Sequence, residues 1–312
     1  MPFAFRESFG FAMKSRSTRS TLWTASPSFM TATSVRSPRC HSAMWRKRDG
    51  EPPHPAASPP TSPASGEVKL TFMGTAGARF MVAKQVAASG GLYIEEGDTR
   101  MSLDPGPGAI VQYAQRGIDL TTLDAIVVSH RHLDHAGDLN VMVEGMTDGG
   151  FAHRGMVFCP SDALDDDPVM LKYLRRFPRE IVRLAPETSY TVGDIAFTTS
   201  GRHVHQVETY GFRFGNRLGW VTDSAYYDGI AEQHRADVMV LHTILLHCRP
   251  DLPHLCVADV ERIIRDAEPK LAFLTHYGMT VWRADPAAIA ADLTQRTGVE
   301  VRAATDGLSI DL

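Results

Sequence analysis

No apolar run in the chain approaches the length of about 18 residues that a membrane-spanning helix needs, so none is expected. Cysteine is scarce. Cys40, Cys159, Cys248 and Cys256 form no CxxC pair and suggest no disulfide framework, so the expectation is reduced thiols in a cytosolic-type compartment. Acidic residues are nearly missing from the first stretch and in excess afterwards. Residues 1–66 hold nine Lys and Arg against three Asp and Glu; the rest holds 23 against 33, so net charges of +6 and −10 combine to the chain's −4. A domain that acidic is a poor bulk attractor for polyanions, which argues against a large nucleic acid as partner.

Residues 1–66 also lack helical or strand periodicity. They are rich in Ser, Thr, Arg and Pro, ending in Pro52-Pro53-His54-Pro55 and Pro59-Pro60-Thr61-Ser62-Pro63. Such a segment cannot bury enough apolar surface to offset its ordering entropy, and it reads as a disordered tail. Three readings of it stand open: an organellar transit peptide, a plain flexible tail, or an upstream extension with the start at Met13, Met30 or Met44. No apolar signal-peptide core is found, so secretion is not expected. Residues 67–312 read as the folded domain, and their apolar share suits a core (43% over the whole chain).

What stands out is Ser129-His130-Arg131-His132-Leu133-Asp134-His135. Before it, Leu123-Asp124-Ala125-Ile126-Val127-Val128 reads as a buried strand. After it, residues 136–146 carry apolar side chains at helical spacing. The cluster therefore lies on a strand-to-helix loop, where α/β sheets place their sites. Four potential ligands within six positions are hard to explain structurally, because a buried histidine needs its own partner. Imidazoles with a carboxylate suit zinc, with manganese or iron as other occupants.

His130, His132, Asp134 and His135 match the signature of the metallo-β-lactamase-fold hydrolases, and the chain resembles them from about Val68 to Leu312. It is most similar to their ribonuclease Z-like and phosphodiesterase-like branch. The resemblance implies an α/β fold, an αββα four-layer sandwich. It also implies further site residues. His205, six positions before Gly211, matches the third metal motif, with His203 as competitor. Asp223, after the strand at 218–222, matches the bridging carboxylate, and His276 matches the final ligand. One ion would then bind His130, His132 and His205, and the other Asp134, His135 and His276, with Asp223 between them. Asp104 matches an aspartate that supports the metal loop, though it also suits a cap of the helix expected at 109–116. Gly74-Thr75-Ala76-Gly77 reads as a tight turn, and the resemblance sets its Gly74 and Thr75 beside the site. Where ribonuclease Z-like proteins carry Gly-His-Ser-Thr, this chain has Pro253-His254-Leu255-Cys256. Only the histidine survives, which makes His254 the candidate general acid. A solvated loop histidine is the bland alternative. Asp134 and His254 are thus the candidate catalytic residues.

Two divalent ions held by five imidazoles and two carboxylates leave a positive centre that polarises a phosphoryl or acyl oxygen and acidifies water to a bridging hydroxide. The implied reaction is metal-assisted hydrolysis of a phosphodiester, small or nucleotide-like. Alternatives are a lactone or thioester hydrolase of the same fold and a non-catalytic metal-binding scaffold. No long Gly/Pro-rich insertion like the arm that grips transfer RNA is present. The expected partners are a small-molecule or nucleotide-like substrate, no membrane and a homodimer, and the expected location is cytoplasmic, or organellar if residues 1–66 are a transit peptide.

Overall fold

The computed structural model describes residues 66–165 and 167–312; Cys40 and the tail readings lie outside them. Fourteen strands form two seven-stranded sheets among these residues. The first contains β1 (Val68–Phe72), β2 (Leu92–Glu96), β3 (Thr99–Leu103), β4 (Ala125–Val127), β5 (Met156–Cys159), β6 (Glu180–Arg183) and β14 (Ser309–Asp311), in the order β14-β1-β2-β3-β4-β5-β6. The second contains β7 (Ser189–Val192), β8 (Ile195–Arg202), β9 (Tyr210–Phe214), β10 (Leu218–Val221), β11 (Val238–His242), β12 (Leu271–Thr275) and β13 (Glu300–Ala303), in the order β13-β12-β11-β10-β9-β8-β7. Each sheet is half antiparallel and half parallel: β14 through β3 and β7 through β10 run antiparallel, then β3 through β6 and β10 through β13 run parallel.

The continuous apolar runs are continuous because each strand is covered on both faces. In β4, Ala125 and Val127 face the other sheet, while Ile126 and Val128 face the helices outside. In β12, Phe273 points into the inter-sheet core and Ala272 and Leu274 point outward. This is the two-residue period of a strand. Phe72 and Phe273 meet across the layers with ring centroids 5.4 Å apart, as do Phe158 and Phe197. Helices α2 (Ala109–Gln115) and α4 (Leu139–Met146) cover the first sheet. Helices α5 (Ile230–His234), α6 (Val257–Ala267) and α8 (Pro286–Thr297) cover the second. The four-layer αββα expectation holds.

The helices follow sequence logic. In α6, Val260, Ile263, Ile264 and Ala267 are buried at the i, i+3, i+4, i+7 spacing of one face. In α8, Pro286 starts the first turn, the Asp285 carboxylate accepts from the Ala287 amide at 3.0 Å, and Gly298 closes the end at φ 76°. The helix expected over 136–146 breaks into a single turn, α3 (Leu133–Ala136), and α4. Three short helices were not foreseen: α1 (Ala78–Ala83), α5 and α7 (Met279–Arg283). No described helix is long and apolar enough to cross a membrane.

Candidate metal centre

Parallel register aligns the strand ends that carry the site. Val221 of β10 pairs with Leu241 of β11, and His242 at the end of β11 pairs with Thr275 of β12. Asp223, His242 and His276 therefore leave one edge of the second sheet side by side. In the first sheet Leu103 pairs with Val127, so Asp104 and the segment 129–135 leave the facing edge together. His130 and His132 lie on the loop after β4, and Asp134 and His135 on the single turn α3.

The hydrogen bonds decide which nitrogen of each ring is free. The Ser129 hydroxyl donates to Asp104 Oδ2 at 2.7 Å and so accepts from His130 Nδ1 at 3.0 Å. His135 Nδ1 donates to Asp104 Oδ2 at 2.9 Å, and His205 Nδ1 donates to the Pro253 carbonyl at 3.0 Å. In each case the Nε2 lone pair is left pointing inward. His130 Nε2 is buried without a partner. His135 Nε2 lies 3.1 Å from His276 Nε2, and His205 Nε2 lies 3.1 Å from His132 Nδ1. Lone pairs converging at this separation repel one another, yet they sit close to the ~3.3 Å expected between two nitrogens on one tetrahedral zinc.

Carboxylates complete both sets. Asp134 Oδ2 is 3.5 Å from His276 Nε2 and 3.8 Å from His135 Nε2. Asp223 lies between the sets, with Oδ2 4.0 Å from His130 Nε2 and 3.7 Å from His135 Nε2, and Oδ1 3.4 Å from His276 Nε2. The residues present fit divalent ions: His130, His132 and His205 form one group that could hold an ion, and His135, Asp223, His242 and His276 another.

The sequence profile of the Beta-lactamase superfamily domain matches residues 99–277, more than half of the chain. The chain belongs to that superfamily. Its architecture is the metallo-β-lactamase fold. An uncharacterized protein of Methanocaldococcus jannaschii is 27% identical over 257 residues, 78% of this chain and 95% of the relative. The crystal structure of the metallo-β-lactamase fold protein YhfI from Bacillus subtilis matches with a TM-score of 0.67 at 20% identity, over 79% of this chain and 100% of that one. A diphosphatase from the PhnP family matches at 0.61 and 18%, over 79% and 97%.

The superfamily motif sits under electrostatic tension in this chain. Burial alone would raise the Asp223 pKa, but the imidazoles of His276 and His254 and hydrogen bonds from His135 and His242 hold it well below the carboxylate range. Burial pushes His130 well below 6.5 and lowers His132 and His205, so these rings are neutral with lone pairs available. Burial would also keep His135 neutral; the carboxylates of Asp104 and Asp134 reverse that and draw a proton onto it. With Nδ1 already given to Asp104, that proton would sit on Nε2, and an ion bound there would displace it. The supporting Asp104 at φ 55° and the donor His276 at φ 54° adopt left-handed backbone, a cost of roughly 1–3 kcal/mol each that surrounding packing must offset.

Asp104 does not cap α2. Its carboxylate instead accepts from the Ser129 amide at 2.6 Å, the Ser129 hydroxyl and His135, while the α2 amide of Ile110 donates to Asp138. His203 does not join the donor sets. It is buried, with Nδ1 3.2 Å from the Asp223 carbonyl and Nε2 3.3 Å from His234 Nε2. Gly211 is required beside this pair, because a Cβ there would collide with both rings. Thr75 does not turn to the site: its hydroxyl donates to Asp306 at 2.8 Å. Gly74 lines the same cavity as Asp134, His135 and His276, as expected, and the turn also approaches the centre through Gly77, where a Cβ would strike the His276 carbonyl and ring. His254 lies beside His205, ring centroids 5.0 Å apart, with Nδ1 3.5 Å from Asp223 Oδ2.

Two features escaped the sequence reading. His242, read as part of a loop-like stretch, ends β11; its Nδ1 donates to Asp223 Oδ1 at 2.9 Å and its ring stacks on His276 at 4.2 Å. The signal was its position, one residue past the run Val238–Leu241, as Asp223 and His276 follow their own strands. The cysteine expectation also needs correction. Cys248 and Cys256 form a disulfide, Cα atoms 4.9 Å apart, because the segment between them folds back on itself. Cys159 is free and buried.

Proposed function

We propose that this metallohydrolase-fold chain is a dinuclear metal-dependent hydrolase that cleaves a small or nucleotide-like phosphodiester. The observation that carries the reading is Asp223, whose two oxygens reach donors of both sets. His130, His132 and His205 would hold one divalent ion, Asp134, His135 and His276 the other, and zinc suits this donor chemistry. Ions bound there supply Lewis acidity and an acidified water at neutral pH. The chain's own residues do the rest. Asp104 and the Pro253 carbonyl fix ring tautomers, and His242 orients the Asp223 carboxylate. Asp134, ionised and partly open to solvent, is the acceptor for a proton of the attacking water. His254 is the donor to the leaving group; burial lowers its pKa, and the Asp223 carboxylate 3.5 Å from its Nδ1 is what opposes that and favours the proton. The diphosphatase likeness supports phosphoryl chemistry.

A second reading, hydrolysis of a lactone or thioester, draws on Leu133 and Val204. They flank the donors and are 70% and 50% exposed, a rim suited to an apolar substituent. The deciding experiment is metal content by mass spectrometry on protein purified without added metal, with turnover of bis(p-nitrophenyl) phosphate on the same sample. About two ions per chain with diester turnover is expected. Two ions with acyl-ester turnover alone would select the second reading, and less than one ion, unrestored by zinc, manganese or iron, would overturn both.

A further inference from the structure

The segment 243–256 joins β11 to α6 and carries two groups of the centre. Its Pro253 carbonyl accepts from His205 Nδ1 at 3.0 Å, and its His254 stands 3.5 Å from Asp223. Its attachments are few. At its base Leu245 bonds to the Leu255 carbonyl and accepts from the Val257 amide, and the Leu246 amide donates to Thr280 Oγ1 at 3.3 Å. Beyond that, residues 247–252 are exposed, and their described backbone hydrogen bonds stay within the segment. The covalent link from exposed Cys248 to buried Cys256 spans this tip and ties it to the first residue before α6, whose amide donates to Asp259 Oδ2 at 3.1 Å.

We propose that the Cys248–Cys256 pair is a reversible redox modification site whose state decides whether Pro253 and His254 are held at the centre. The linked form closes a loop around both groups and removes alternative positions of the tip. A thiolate of glutathione reaches Cys248 from solvent and attacks its sulfur. The S–S bond breaks, a mixed disulfide forms at Cys248, and Cys256 leaves as thiolate to take up a proton. A second glutathione thiolate releases Cys248 as a thiol, so two glutathione thiols are oxidised to one glutathione disulfide while the protein disulfide becomes two thiols; glutathione disulfide drives the reverse. The unlinked tip then rests on its base contacts and on the single bond from His205. Only the turnover arm of the test rests on the diesterase reading.

The test equilibrates the full chain across ratios of reduced to oxidised glutathione. Each sample is then divided among alkylation and peptide mapping, hydrogen exchange of residues 244–256, and bis(p-nitrophenyl) phosphate turnover. The expected result is one two-electron transition, with reduction speeding exchange in 244–256 about tenfold, leaving β11 and β12 unchanged and lowering turnover about tenfold. Cys248→Ser should show the fast exchange and low turnover at every ratio. Full alkylation of both cysteines at every ratio would overturn the proposal. So would oxidation that leaves exchange unchanged, or a metal ion held by Cys248, Cys256 and Asp259 and lost in Cys248→Ser. Absence of turnover at all ratios would refute the diesterase reading, while the exchange data would still decide the redox site.

Discussion

The two halves of the molecule are built alike, three antiparallel pairings followed by three parallel ones, but they load the centre differently. The first half sends His130, His132, Asp134 and His135 from one segment after one strand, braced by a single carboxylate, Asp104. The second half sends one residue from each of three neighbouring strands, Asp223, His242 and His276, plus His205 from the connection between β8 and β9. In the first half local chain geometry spaces the donors. In the second, sheet register spaces them, so their relative placement depends on the packing of the whole half.

That contrast can be broken at its joint. Asp223→Ala removes the residue both donor sets share; metal content should fall to one ion or fewer per chain, and diester turnover should drop on the order of a thousandfold, by mass spectrometry and kinetics on one sample. The next test compares the braces. Asp104→Asn weakens the acceptor that orients the first half's ligands, and His242→Gln removes the ring that orients Asp223. Each should weaken metal binding by roughly 10–100-fold, in the range seen for outer-shell partners. A loss confined to Asp104→Asn, read by competition with a chelator, would show that strand register alone holds the second half's donors.

These same contrasts explain how much could be read from the sequence. A donor set packed into six positions is visible without any structure, and the buried strand before it supplies the context. His205, Asp223 and His276 were legible only through family resemblance, because a lone histidine or a strand-end aspartate is locally ambiguous. His242 was missed since its meaning depends on neighbours 19 and 34 positions away, set by the pairings of β10, β11 and β12. The helices α6 and α8 were readable from periodicity and caps, whereas α1, α5 and α7 have too few residues for a period to show. The Cys248–Cys256 link depends on a chain reversal that spacing alone does not reveal.

The second half also carries an acid liability. Burial lowers the His234 pKa to about 4, below the 6.5 it has when exposed. The unfolded chain therefore binds this proton first as pH falls. Stability should decline between about pH 6.5 and 4, by up to about 1.4 kcal/mol per pH unit for this group, and hold steady above it. Urea midpoints at pH 7 and 5 measure the combined slope, which His234→Gln should reduce by this group's share, leaving that of the buried His130, His203 and His242. The smallest effect is local to one helix: Asp285→Ala, removing the α8 cap, should cost about 1 kcal/mol in the same assay without changing turnover.

The pairing of β14 with β1 has a consequence for how the protein is made. Residues 309–311 lie beside 69–71, and the Leu312 amide donates to the Val68 carbonyl at 2.8 Å. During translation β1 emerges early and β14 last, so the outer edge of β1 stays unpaired until nearly the whole domain has left the ribosome. An open strand edge is a template for another chain. Nascent copies on one polysome are therefore most exposed to mispairing over the time that separates these two strands, and translation speed, rather than final stability, sets how long that hazard lasts.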